Sequence, residues 1–216
     1  MPELRDAVAV VGVGCSRFGD RLDASLTDLF VEAYLEAIED VDKGIDPKEI
    51  EEAIIGSMSF SGEQVANLAS ACIDYAGIPM IPAVKVENAC ASGGYAMRYG
   101  IMAIISGVAD VVLVGGVEKM NDVPRERTRL WLGSGSDVPW ERWAGLTFPG
   151  IFALQATRYM HEYGLTREQL ALVAVKNHEH GSMNPKAHFQ FKVSVDQVIN
   201  SPVVAYPLRL LDCCPT

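Results

Sequence analysis

The feature that most constrains the fold is an alternation in which short apolar segments rich in β-branched residues are each followed by a longer segment of helical period. Residues 7–13 form the first such apolar run, and residues 25–41 follow with Leu26, Leu29, Phe30, Ala33, Tyr34 and Ala37 at helical spacing. The pair reads as a strand and an amphipathic helix. The rhythm repeats with a strand at 53–55 and a helix at 65–75, then with a strand at 83–86 and a helix at 92–106, before a fourth strand at 110–114. Such alternation predicts an α/β domain built on a mostly parallel, buried sheet.

The rhythm breaks over residues 121–147, which are rich in Gly, Pro and Arg and carry all three tryptophans, Trp131, Trp140 and Trp143. A long irregular stretch is usually functional or disordered, and large aromatic residues argue against disorder. Helices are predicted at 151–163 and, behind a Thr166 cap, at 167–183. Apolar residues return at 203–211. The organisation expected is a βαβαβαβ core over 1–120, a mainly helical excursion over 121–201, and a return toward the core over 202–216.

The net charge of −10 disfavours nucleic acid and anionic membrane surfaces as partners, because both present like charge. No amino-terminal stretch has the make-up of a secretory signal, and no apolar run reaches the roughly 18 residues of a membrane span. A cytoplasmic location is the expectation. The five cysteines, Cys15, Cys72, Cys90, Cys213 and Cys214, are odd in number and scattered, so reduced thiols rather than a disulfide framework are expected. His178, His180 and His188 with the two terminal cysteines contain zinc-binding atoms but lack a compact zinc spacing, and no metal is expected. The adjacent pair Cys213-Cys214 is a poor disulfide because of its strained geometry.

The sharpest local feature is Val86-Glu87-Asn88-Ala89-Cys90-Ala91-Ser92-Gly93-Gly94, where a strand runs through small residues into an unusually apolar helix. Cys90 is thereby expected at a strand-to-helix turn. Free N–H groups at a helix start favour a developing negative charge, which serves acyl transfer. Ser92, Gly93 and Gly94 leave room for a close approach, and the apolar run behind them predicts a helix enclosed on all sides. From the residues alone two readings stand: Cys90 is a nucleophile, or it is a small buried hydrophobe as many free cysteines are.

Several ordered motifs bear on that choice. Asn88-Ala89-Cys90-Ala91-Ser92-Gly93 resembles the nucleophile motif of the thiolase family, and Gly115-Gly116-Val117-Glu118-Lys119-Met120 resembles the turn that borders thiolase active sites. Lys176-Asn177-His178, the run from Asn184 to Phe189, and Pro207-Leu208 with Asp212-Cys213-Cys214-Pro215 resemble the sterol-carrier-protein and archaeal branch. The resemblance runs nearly end to end and covers the amino-terminal half of the family.

The resemblance implies a thiolase-like half-domain, a mostly parallel mixed sheet with helices on both faces, interrupted by a helical loop domain that covers coenzyme A. It implies acyl-CoA acyltransfer in which Cys90 accepts the acyl group and passes it to an enolate or to CoA, forming or cleaving a 3-oxoacyl-CoA such as acetoacetyl-CoA. CoA thioesters are substrates in this scheme, and no cofactor is expected. Asn88, Gly93, Gly116 and Met120 would border the site. Phe148, Ile151 and Phe152 either face the acyl or pantetheine channel or are core anchors, and Arg125, Arg127 and Arg129 either attract CoA phosphates or form a solvated loop. Family partners are a second copy of the chain, as homodimer or tetramer paired near residues 83–87, with hydroxymethylglutaryl-CoA synthase and a small zinc-containing acyl-CoA-binding protein. The glycine-histidine-proline motif, second cysteine and asparagine or histidine motif of the family's other half do not occur in this sequence. Alone, the chain is therefore expected to be inactive and prone to associate. The rival reading is a non-catalytic thiolase-like scaffold or acyl-CoA-binding subunit.

Overall fold

A computed structural model describes residues 6–58 and 66–214. The chain forms two compact units, one of Arg21–Val123 with the described residues before Arg17, the other of Arg17–Asp20 with the described residues from Pro124 onward.

In the first unit, helix α1 (Leu26–Glu39) starts at Ser25, whose side chain accepts from the Asp28 N–H while the Asp28 carboxylate accepts from the Ser25 N–H. This reciprocal cap satisfies two donors that a helix start leaves open. Leu26, Phe30 and Tyr34 then fall on one buried face. After it come β1 (Glu52–Gly56), α2 (Leu68–Tyr75), β2 (Ala83–Val86), α3 (Ser92–Ile105) and β3 (Val112–Gly116). The three strands form a parallel sheet in the order β2-β1-β3, with Ala53 opposite both Ala83 and Leu113. The central strand is buried from Ala53 to Gly56, as a parallel strand covered on both faces must be.

Strand alternation assigns the two faces. Ala53 and Ile55 join Leu26, Phe30, Tyr34, Ile50, Leu68, Ala69, Cys72, Ile73 and Ile78 in one core beneath α1 and α2. The opposite face carries α3 on a stripe of small buried residues, Ser92, Ala96 and Gly100. A Cβ at Gly100 would fall 2.5 Å from Val114 Cγ2, so this position is glycine because the helix lies directly on β3. Helices thus cover both sheet faces, as expected.

Three expectations change in this unit. Residues 7–13 form no strand: the Val13 N–H donates to Asp40 Oδ2 and the Cys15 N–H to Glu36 Oε2, so carboxylates of α1 and its cap take donors that a neighbouring strand would have used. The third ladder strand lies two residues later than 110–114. Helix α3 is not enclosed, because Tyr95, Met97, Tyr99 and Met102 are exposed on the side away from the sheet. Helix α2 begins at Leu68, and the expected helix start at Val65 lies outside the described residues.

The second unit is mainly helical: α4 (Arg125–Gly133), a π-helical turn (Val138–Arg142), α5 (Phe148–Tyr163), α6 (Arg167–Met183) and α7 (Val195–Asn200), then a short antiparallel hairpin of β4 (Val203–Ala205) and β5 (Leu208–Arg209). The stretch at 121–147 is therefore largely helical rather than irregular. Helix α6 begins behind a Thr166 cap as expected, with a reciprocal Thr166–Gln169 pair. Within this unit β4 packs against α5, and the 3₁₀ turn Leu210–Asp212 against α6 and α7. The core is thin, made of Ala171, Ala174 and Val198 with Val175, Val193, Val195, Ile199 and Leu211 around them. Arg167 pairs with Asp212, whose Oδ2 also accepts the Arg209 N–H at 2.8 Å. The Arg209 guanidinium donates to Ser201 O at 2.8 Å.

Candidate active site

The carboxyl ends of all three parallel strands lie on one edge of the first unit's sheet, where open α/β sheets place their ligands. β2 ends at Val86 and the chain enters a tight 3₁₀ turn, Ala89–Ala91, that leads straight into α3. Cys90 sits on this turn with an exposed, free thiol. Among the described residues nothing buries it. The turn is strained, because Ala89 has φ +48°, a left-handed conformation uncommon for a residue with a Cβ.

A small network braces the turn. The Ala89 N–H donates to Glu87 Oε1 at 2.6 Å, and the Ser92 hydroxyl donates to Ala89 O at 2.6 Å while accepting the Asn88 N–H at 2.9 Å. From β1, Gly56 lies under the same turn: a Cβ there would meet the Ser92 carbonyl carbon at 2.9 Å and Gly93 N at 3.0 Å. Gly116 of β3 stands opposite Gly56 in the ladder. Beyond β3 the Glu118 carboxylate accepts from Ser57 Oγ at 3.3 Å and from the Met58 N–H at 2.9 Å, tying the ends of β1 and β3 together. The next residue, Lys119, is buried and paired with Asp122.

Of the residues singled out in the sequence, Asn88, Cys90, Gly93 and Gly116 therefore gather on this edge. A Cβ at Gly93 would meet nothing within 4 Å, so its outer side is open. Met120 lies on the 3₁₀ turn Met120–Asp122 that follows Glu118. Phe148, Ile151 and Phe152 belong to the other unit, at the start of α5, where the two phenylalanine rings meet edge to face at 5.1 Å and none of the three is fully buried. Arg125, Arg127 and Arg129 are exposed on α4, with Arg127 over the Trp131 ring. His178 is a packing residue: its Nδ1 lies 3.1 Å from Phe191 O and its ring stacks on Phe189, which His188 also touches. Among the described residues no group of three or more His, Cys, Asp or Glu side chains is placed to hold a metal ion.

Cys15 and Cys214 are exposed as Cys90 is, whereas Cys72 and Cys213 differ in setting. Burial pushes Cys72 up to about 11, and burial, reinforced by Asp212 and Cys214, raises Cys213. Both shifts favour the neutral thiol over the thiolate. Ser57, Glu87 and Glu118 were not singled out in the sequence, and Ser92 was noted only as a small residue that leaves room for a close approach. Ser92 and Glu118 stood within its motifs, but the 61-residue separation of Ser57 from Glu118 leaves no local signal.

Cys90 is thus an exposed cysteine on a strained strand-to-helix elbow of a parallel α/β unit. The family defined as thiolase, N-terminal domain, matches residues 8–212, and the chain belongs to the thiolase family. It is 48% identical over 216 residues to an acetyl-CoA acetyltransferase of Methanothermobacter thermautotrophicus, covering 98% of this chain and 54% of the relative. It is 32% identical over 228 residues to sterol carrier protein 2 of Gallus gallus, covering 97% of this chain and 39% of that protein. A solved structure titled Ltp2-ChsH2(DUF35) aldolase superposes with a TM-score of 0.72 at 26% identity, covering 96% of this chain and 52% of its own. The chain spans about half the length of the curated acetyltransferase it matches.

Proposed function

We propose that this chain is the nucleophile-bearing half of an acyl-CoA acyltransferase that forms or cleaves a short 3-oxoacyl-CoA such as acetoacetyl-CoA. The observation that carries the reading is the exposed Cys90 thiol on a braced elbow at the carboxyl edge of the sheet, in a chain 48% identical to an acetyl-CoA acetyltransferase. The Cys90 sulfur, as thiolate, attacks the thioester carbonyl of an acyl-CoA. A carbon–sulfur bond to Cys90 forms, the bond to CoA sulfur breaks, and CoA leaves as a thiolate that takes up a proton. In the second step the carbon of an acyl-CoA enolate, or CoA sulfur in the reverse direction, attacks the acyl-cysteine and frees Cys90. Backbone N–H groups at the elbow, that of Cys90 among them, are suited to hold the intervening oxyanion.

We assign the remaining proton chemistry to the half of the family that this chain does not span. The uncovered apolar side of α3 is consistent with such a complement. Self-association near β2, a cytoplasmic location, the absence of a cofactor, and assembly with hydroxymethylglutaryl-CoA synthase and a zinc-containing acyl-CoA-binding protein belong to the same proposal. Among the described residues no helix is long and apolar enough to cross a membrane.

The test is intact-mass and peptide mass spectrometry of the native polypeptide after brief exposure to acetyl-CoA. One acetyl group is expected on Cys90 and none in Cys90→Ser. An unmodified Cys90, or an adduct indifferent to the substitution, overturns the reading. The scaffold or acyl-CoA-binding alternative predicts CoA binding without an adduct.

A further inference from the structure

We propose that Ser92 is the positioning residue that aims Cys90, with Glu87 as its weaker partner. The proposal rests on the acyl-transfer reading above. Ala89 has to hold a left-handed conformation for the chain to turn sharply from β2 into α3, and nothing in an alanine favours that state. Something outside the residue must hold it.

Both polar groups of Ala89 are held by side chains. Its N–H goes to the Glu87 carboxylate, and its carbonyl accepts the Ser92 hydroxyl at 2.6 Å. That carbonyl belongs to the peptide unit carrying the Cys90 N–H, so fixing the oxygen also fixes where the Cys90 N–H points. The Ser92 backbone N–H bonds to the same oxygen, and the Ser92 hydroxyl accepts the Asn88 N–H on the far side of the turn. One hydroxyl thus ties both sides of the strained residue.

Burial decides which clamp is stronger. Ser92 is 6% exposed, and Gly56 of β1 lies against its backbone, so its part-buried bonds compete less with water and the sheet backs its position. Glu87 is exposed and does compete. Ser92 touches no reacting atom in this scheme. It acts through the Ala89–Cys90 peptide.

The experiment measures acetyl transfer to Cys90 in the native polypeptide, per titrated thiol, across acetyl-CoA concentrations. Ser92→Ala is expected to slow the saturated rate roughly ten- to a hundredfold, the range for a slightly misplaced reacting group, with KM changed by no more than about twofold. Ser92→Thr keeps the hydroxyl and is expected to recover most of the rate. Glu87→Ala, on the surface, is expected to lose about threefold. A purely structural Ser92 would lower the melting temperature and the titratable fraction but leave the rate per thiol unchanged, and that result overturns the proposal. If Ser92→Ala does not fold, Gly56→Ala, which presses on the Ser92 backbone, and Glu87→Ala carry the test; parental rates in both overturn it. No acetylation of the unsubstituted protein instead overturns the acyl-transfer reading. Positioning is then read from the rate of Cys90 alkylation by iodoacetamide, where equal rates for Ser92→Ala and the parent overturn it as well.

Discussion

The two units are stabilised in different ways. Among the described residues the first has eleven buried in its principal core, several of them large, arranged in layers on a parallel sheet. The second has three, two of them alanines, and relies on capped helix starts at Thr166 and Ser194 and on the Arg167–Asp212–Arg209 network. The first draws its stability from apolar area removed from water. The second depends on a few polar groups being satisfied, which makes it sensitive to single polar substitutions. The strained elbow is in the first unit, where a rigid core can hold an unfavourable backbone conformation in place.

The largest expected effect is from Ile55→Ala, which opens a cavity in the fully buried centre of the sheet and is expected to cost about 4 kcal/mol of first-unit stability. Amide hydrogen exchange in β1 and α2 reads that loss. Tryptophan fluorescence reports the second unit alone, since Trp131, Trp140 and Trp143 all lie there. If the fluorescence transition shifts as far as the β1 exchange, the units unfold as one and the contrast fails.

Next is Asp212→Ala. It removes the partner of a guanidinium whose Nε and Nη1 are already buried without hydrogen bonds, and it is expected to cost about 3 kcal/mol, read by urea titration of the tryptophan signal. Asp212→Ala leaving that transition in place would show that packing, not the network, holds the second unit.

The smallest effect is one of pH. Burial raises Cys72 from 9.0 to about 11, so its neutral thiol contributes stability fully below pH 9 that is lost as pH rises toward 11, while the unfolded chain ionises first. First-unit stability should therefore fall over that window and flatten in Cys72→Ala, as followed by hydrogen exchange corrected for the intrinsic rate.

Much of this architecture is legible in the sequence because local chemistry and tertiary role agree there. Ser25 and Thr166 each precede an acidic or amide residue by three positions, the mark of a capped helix start, and both helices begin where that pattern puts them. Ser194 with Gln197 carries the same signal for the short α7, which apolar period alone passes over. Residues 7–13 have strand composition, but strand pairing depends on whether a partner strand is present, and here acidic side chains of α1 and its cap take the donors instead. Helix α3 is apolar on most faces, which reads as enclosure, yet among the described residues nothing covers Tyr95, Met97, Tyr99 and Met102. At the elbow the cysteine and its small neighbours were visible. The left-handed turn was not, because it falls on an alanine rather than the glycine that usually signals it.

The contact between Gly100 and Val114 makes the identity of one position conditional on the other. A methyl group at 100 would occupy the space of a valine methyl at 114, so neither site can drift independently in descendants of this chain. Lineages that gain alanine at 100 should already have lost bulk at 114, and an unbranched small residue at 114 is the permissive step that has to come first.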